Sequence, residues 1–448
     1  MRRVSSNGWR VPSYHCELAW LGDDQAVADV LVTIDGDRIA SVDPGGGPPA
    51  DATRLRGLTV PGFANSHSHA FHRALRGRAQ AGTGSFWTWR EQMYEVAASL
   101  DPDRYRDLAR AVFAEMVQAG ISAVGEFHYL HHGPGGVPYD DHNAMGAALI
   151  AAATEAGLRI TLLDTCYLQG GIDVELDETQ RRFSDGDALA WATRASALQD
   201  APTVRIGAAI HSVRAVDPAA IEVVAAWAGE RGAPLHAHVS EQRAENEQTV
   251  AAFGRTPIQL LAERGAVSER FTAVHATHVT EDDLDALGGA DSWCCLCPTT
   301  ERDLADGIGP ARAMRDAGAH LTLGSDSHAV IDLLEEARAV ELDERLASGV
   351  RGSHDAPSLL RAATTHGHES LGWRDAGRIE PGALADLTTI ALDTVRTAGG
   401  GPEHSIEMAV FAATAADVHH VVIGGRVVVS DGHHVSVDVA AELAHALP

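Results

Sequence analysis

No lysine occurs anywhere in the chain, so all 35 of its basic residues are arginine. That absence removes Schiff-base catalysis, a pyridoxal-phosphate lysine, the phosphate-binding lysine of a P-loop and a lysine carbamate bridging two metals. Basic residues are also scarce: 35 stand against 62 acidic ones, and the net charge of −27 repels nucleic-acid phosphates and anionic lipid. No nucleic-acid or membrane partner is therefore expected. No stretch approaches the roughly 20 apolar residues of a membrane span, and residues 1–7 lack the apolar run of a secretory signal, so a cytoplasmic location is expected. Five cysteines, an odd number, argue against a disulfide framework. Cys294-Cys295-Leu296-Cys297 holds one C-x-x-C in an apolar run with no second pair, which reads as buried packing.

What is present is an ordinary globular composition, 448 residues with 45% hydrophobic and 22% charged, enough for one large domain and a smaller one. Residues 10–60 read as strands and turns, with Val30-Leu31-Val32-Thr33-Ile34 broken by Asp35-Gly36-Asp37. From about 60 onward short apolar runs alternate with helical periods. Asp101-Pro102 and Asp217-Pro218 open two of the helices, and Gly120 and Gly232 close them. Strands are expected at 58–66, 121–130, 158–168, 203–213, 233–240, 271–279, 291–298 and 319–327. Eight such units point to an α/β fold, a (β/α)8 TIM-like barrel over 61–377. Residues 1–60 and 378–448, again β in pattern, are expected to pair into a small composite β-sandwich.

Histidine numbers 24, and its positions matter more than its count. The first barrel strand ends Asn65-Ser66-His67-Ser68-His69, where residues two apart share a face. The fifth gives His236-Ala237-His238-Val239-Ser240-Glu241, the sixth Val274-His275-Ala276-Thr277-His278, and the eighth Gly324-Ser325-Asp326-Ser327-His328. Each polar group stands at the carboxyl end of an apolar run, the end at which barrel enzymes carry their active sites. Only a closed barrel makes His67, His69 and Asp326 neighbours. His67, His69, His238 and Asp326 then form a three-nitrogen, one-oxygen set suited to Zn2+ or Fe2+, which would lower the pKa of a bound water toward about 7. Glu241 is placed to shuttle a proton, and His275 to hold the nucleophile or stabilise developing charge.

This constellation resembles the mononuclear deaminase branch of the amidohydrolase superfamily over nearly the whole chain, and the missing lysine agrees with one metal. Within that branch, His67-Ser68-His69-Ala70-Phe71, Ser85-Phe86-Trp87-Thr88-Trp89-Arg90, Glu126 to His132, His275-Ala276-Thr277-His278 and Cys297-Pro298-Thr299-Thr300-Glu301 are similar to members that hydrolyse N-formimidoyl-L-glutamate in histidine degradation. The resemblance implies Tyr129 and His211 as substrate contacts, a homodimer, and His72 where relatives carry a substrate-contacting glutamine.

A dicarboxylate amidine needs local cations on so acidic a protein. Arg214, three residues past His211, and Arg90, in the long loop after strand 1, are the candidates for its two carboxylates. For either arginine the competing reading is an ion pair with no part in binding. The rival functions are another mononuclear deaminase, of the guanine, cytosine or adenosine-derivative type, and a non-catalytic metal-binding barrel that has no use for Glu241. His131-His132 and His433-His434 read as solvated loop residues, His236 as a neighbour of the metal ligands, and the glycine runs at 45–47 and 399–401 as linkers.

Overall fold

The computed structural model describes residues 12–81 and 86–447. The reading of residues 1–7 as lacking a secretory signal, and Ser85, lie outside the described residues. Sixteen strands run in chain order among them: β1 (Ser13–Ala19), β2 (Val27–Asp35), β3 (Arg38–Pro44), β4 (Thr53–Pro61), β5 (Phe63–Ser68), β6 (Ile121–His128), β7 (Arg159–Cys166), β8 (Val204–Ile210), β9 (Leu235–Val239), β10 (Phe271–His275), β11 (Trp293–Leu296), β12 (His320–Leu323), β13 (Leu387–Ile390), β14 (Val418–Ile423), β15 (Arg426–Ser430) and β16 (His433–His434).

Strands β5 to β12 pair in sequence order, each parallel to the next, with helices between them. A parallel bridge between Ser68 and Asp326 joins the two ends of the sheet and closes the barrel. The strand cores are buried on both faces, β6 and β7 at every position, which explains why they read as near-continuous apolar runs. The termini supply the second sheet, in the order β16-β15-β14-β13-β4-β1-β2-β3, with β13 antiparallel to β4 where the two ends of the chain meet.

Local chemistry explains the helix boundaries. Asp101 caps the helix Pro102–Gln118 by accepting from the Arg104 amide at 2.9 Å, and Tyr105, Leu108, Val112 and Met116 form its buried stripe. Asp217 and Gly232 bracket the helix Pro218–Arg231 in the same way. Barrel and terminal sheet are tied by a buried fork. Arg159 Nε and Nη2 donate to the two oxygens of Asp386 at 2.7 and 3.1 Å, and Asp386 Oδ1 also accepts from the Gly424 amide at 2.7 Å. Breaking one side of such a buried pair typically costs about 3–5 kcal/mol.

Two expectations need correction. The single strand expected at 58–66 is two, β4 in the terminal sheet and β5 in the barrel, divided at Gly62. A Cβ there would stand 2.3 Å from Ser122 Oγ, so only glycine lets the chain cross from one sheet to the other. The ladders of the later barrel strands also stop earlier than the apolar runs, because the backbone turns sharply at their carboxyl ends. Ser240, His275, Ala276, Asp326 and His328 all have positive φ, between 41° and 67°. Each such non-glycine residue costs on the order of 1–3 kcal/mol, and such strain gathers at functional sites. No helix among the described residues is long and apolar enough to cross a membrane. The five cysteines are free and buried.

Candidate metal centre and active site

At the strained end of the barrel, four side chains from distant parts of the chain converge. His238 Nε2 lies 3.1 Å from His67 Nε2 and 3.2 Å from His69 Nε2. Asp326 Oδ1 lies 3.2 Å from the first and 3.4 Å from the second. The outer nitrogens fix the protons: His69 Nδ1 is 2.9 Å from the Phe127 carbonyl and His238 Nδ1 is 3.0 Å from the His211 carbonyl. A carbonyl only accepts, so Nδ1 carries the hydrogen and the Nε2 lone pair points inward.

Burial keeps these imidazoles neutral, holding His69 down at about 3, His67 below the usual range and His238 well below it. The Phe127 ring reinforces this as an apolar wall, with its centroid 4.3 Å from that of His238 and 5.1 Å from that of His67. Inward lone pairs about 3 Å apart repel unless a cation stands among them. The donor set therefore fits one divalent ion, held by three nitrogens and a carboxylate oxygen.

Two further groups face this cluster. His275 Nε2 lies 3.9 Å from Glu241 Oε1 and 3.9 Å from Asp326 Oδ2, and its Nδ1 donates to Glu301 Oε1 at 3.4 Å. Burial alone would depress His275, but the carboxylates of Glu241, Glu301 and Asp326 outweigh it and hold the imidazole well above its usual range. Burial raises the Glu241 carboxyl, opposed by His275. A buried acid with a raised pKa beside a cationic imidazole is equipped for proton transfer.

His69, His238 and Asp326 of the cluster, with Glu241 and His275, line an open cavity. All five expected substrate contacts line it. His72 Nε2 and the Tyr129 hydroxyl are 2.9 Å apart, and Arg90 Nε donates to the Tyr94 hydroxyl at 2.7 Å. The His211 ring packs against Tyr167 at 4.4 Å between centroids. Arg214 differs from the other arginines near the site. Its Nε is buried without a hydrogen-bond partner, and although its charge is felt by the buried Glu245 and Glu241, no carboxylate among the described residues forms a close ion pair with it.

Sequence reasoning missed the aromatic wall of the cavity, where Trp89, Met93 and Tyr94 from the helix Phe86–Ser99 join Tyr167 and Phe183. It also missed Glu301, which holds His275; the Cys297 amide donates to the same Oε1 at 2.8 Å. Three histidines assigned to solvated loops are buried. The backbone amides of His131 and His132 both donate to the Arg182 carbonyl, His132 Nε2 meets Asp185 at 3.0 Å, and His434 Nε2 meets the Ala156 carbonyl at 3.0 Å. His433 alone of the four is exposed. His236 pairs with the Ser370 carbonyl inside the barrel, and His278 with the Asp306 carbonyl.

A closed parallel barrel with such a cluster at its carboxyl end is the architecture of a metal-dependent hydrolase. The chain belongs to the amidohydrolase family, whose sequence pattern it matches over residues 58–428. Formimidoylglutamate deiminase of Pseudomonas aeruginosa is 37% identical over 396 residues, 86% of this chain and 87% of the relative. A 5-methylthioadenosine/S-adenosylhomocysteine deaminase of Natronomonas pharaonis is 31% identical over 388 residues, covering 86% and 84%. Among solved structures, an amidohydrolase from Brucella melitensis superposes with a TM-score of 0.90 at 32% identity, over 97% of this chain and 98% of that one.

Proposed function

We propose that this protein hydrolyses N-formimidoyl-L-glutamate to N-formyl-L-glutamate and ammonia. The observation that carries the reading is the unpartnered Arg214 guanidinium. It lies in the same cavity as the metal-ligand cluster and Arg90, on a protein whose net charge of −27 would otherwise repel a dicarboxylate. The 37% identity to a formimidoylglutamate deiminase supports it.

In this reading His67, His69, His238 and Asp326 hold one divalent ion, with Zn2+ the best match to their donor set. When bound, the ion supplies the Lewis acidity that makes water nucleophilic at neutral pH. Arg214 and Arg90 take the two substrate carboxylates, and His72, Tyr129 and His211 border the amidine. His275 directs Nε2–H at the oxygen being added and offsets its negative charge. A carbon–oxygen bond forms at the amidine carbon. The amidine is bound protonated; Glu241 takes one proton from the attacking water and delivers it to the terminal –NH2, and as the carbon–nitrogen bond breaks and ammonia leaves, the added hydroxyl gives its remaining proton to Glu241 and becomes the N-formyl carbonyl.

Purified, zinc-loaded protein mixed with N-formimidoyl-L-glutamate is expected to release one ammonia per substrate consumed. Absence of release, alongside turnover of a nucleoside or a free base, would assign the site to a ring deaminase instead.

A further inference from the structure

Behind the metal cluster lies a buried polar layer that the chemistry above does not use. Ser68 does not line the cavity; its hydroxyl meets Glu126 and His328, and because β5 is irregular between Asn65 and Ser68, Asn65 joins the same outer layer. With the Phe127 ring against the imidazoles, Glu126 likewise faces away. This outer face packs under the helix Pro102–Gln118, where the Asn65 amide lies 3.8 Å from Met116 Sδ. Such a strand–helix interface is normally aliphatic, and burying a carboxyl there costs free energy.

The polar groups are fully connected. Glu126 Oε1 accepts from the Ala70 amide at 2.7 Å, and Oε2 from the Ser68 hydroxyl at 2.6 Å. With the Ser68 proton directed at Glu126, His328 Nε2 is the partner that can donate in its 3.1 Å contact with Ser68 Oγ. His328 Nδ1 then accepts from Ser325 Oγ at 3.0 Å. Asn65 clasps the same serine twice, donating to its hydroxyl at 2.7 Å and accepting from its amide at 2.9 Å.

The layer spans the seam at which the barrel closes. Among the described residues β5 and the segment after β12 share one isolated bridge, Ser68 to Asp326. It is flanked by the Asp326 amide donating to the His67 carbonyl at 3.0 Å and the His69 amide to the Asp326 carbonyl at 3.3 Å. Three of the four ligand positions, His67, His69 and Asp326, stand on this thinly paired seam. We propose that Ser68, Glu126 and His328 are positioning residues of the metal centre, clamping the two halves of the seam so that the ligands from β5 and the Asp326 loop stay in register before the ion binds. The inference rests on the four-ligand cluster and is independent of the substrate.

Competition between the zinc-loaded protein and a chelator of known affinity reads the zinc Kd without reference to activity. Glu126→Ala and His328→Ala are each expected to raise Kd about 10- to 100-fold, the usual effect of removing a group that orients metal ligands. The double variant should bind no more weakly than the weaker single one, because both changes open the same network. Glu126→Gln, which keeps the shape and one acceptor, should lose less than Glu126→Ala. Val124→Ala, on the same face of β6 but outside the network, should lower stability and leave Kd unchanged. If Glu126→Ala does not fold, Ser68→Ala removes a single hydroxyl and carries the same expectation. An unchanged Kd in the network variants, or a Val124→Ala variant that loses as much affinity as they do, would overturn the proposal.

Discussion

Replacement of Glu241 by glutamine is expected to lower kcat about 100- to 10,000-fold, the range over which a positioned proton carrier contributes. Glutamine has the size of glutamate and can still hydrogen-bond, so the loss isolates proton transfer from packing. Glu241 is 6% exposed and stands against His275, whose Nε2 is 3.9 Å from its Oε1. Zinc content should be unchanged, since Glu241 is not among the four clustered ligands. Ammonia release under saturating substrate, with elemental analysis of the same sample, checks both halves. A Glu241→Gln variant with the parent kcat would remove the proposed mechanism while leaving the metal centre standing.

Arg214→Met is expected to act on binding. A hydrogen bond to a charged group contributes about 1.5–3 kcal/mol, so kcat/KM for the dicarboxylate amidine should fall roughly 10- to 150-fold, mostly through KM. Methionine keeps much of the apolar stem and removes only the fork that a carboxylate would engage. No carboxylate among the described residues lies within 4.0 Å of Arg214 and its Nε is buried unpaired, so its loss breaks no direct ion pair; the buried Glu245 and Glu241 lose only the more distant pull of its charge, and thermal stability should change little. Steady-state kinetics with N-formimidoyl-L-glutamate beside a substrate lacking carboxylates separates the cases. If both substrates suffer equally, Arg214 serves the fold or the cluster and the carboxylate assignment fails.

The metal cluster was legible in the chain because the same signal recurs at the carboxyl ends of barrel strands, a titratable residue closing an apolar run. Barrel closure followed from the chemistry as much as from the strand count, since His67 and Asp326 have no reason to pair in an open sheet. Features set by one distant partner left no such trace. His132 reads as a loop residue until the segment bearing Arg182 and Asp185 folds over it. Glu301 becomes the partner of His275 only once the short helix Pro298–Asp303 is packed beside β10. The helix Phe86–Ser99 belongs to the cavity wall, yet its apolar pattern does not say which surface it covers. The division of the apolar run at Gly62 is visible only in the 2.3 Å that a Cβ would leave to Ser122. Periodicity reports burial, but not the identity of the neighbour that buries.

Side chains from the end of β5, from β9 and from the loop after β12 are proposed to hold one ion. Diffraction from zinc-loaded crystals, recorded on both sides of the zinc absorption edge, tests it most directly. A single anomalous peak is predicted about 2.0–2.2 Å from His67 Nε2, His69 Nε2, His238 Nε2 and an Asp326 oxygen. Zinc-replete crystals with no peak among those atoms, or with the peak elsewhere in the barrel, would contradict the account.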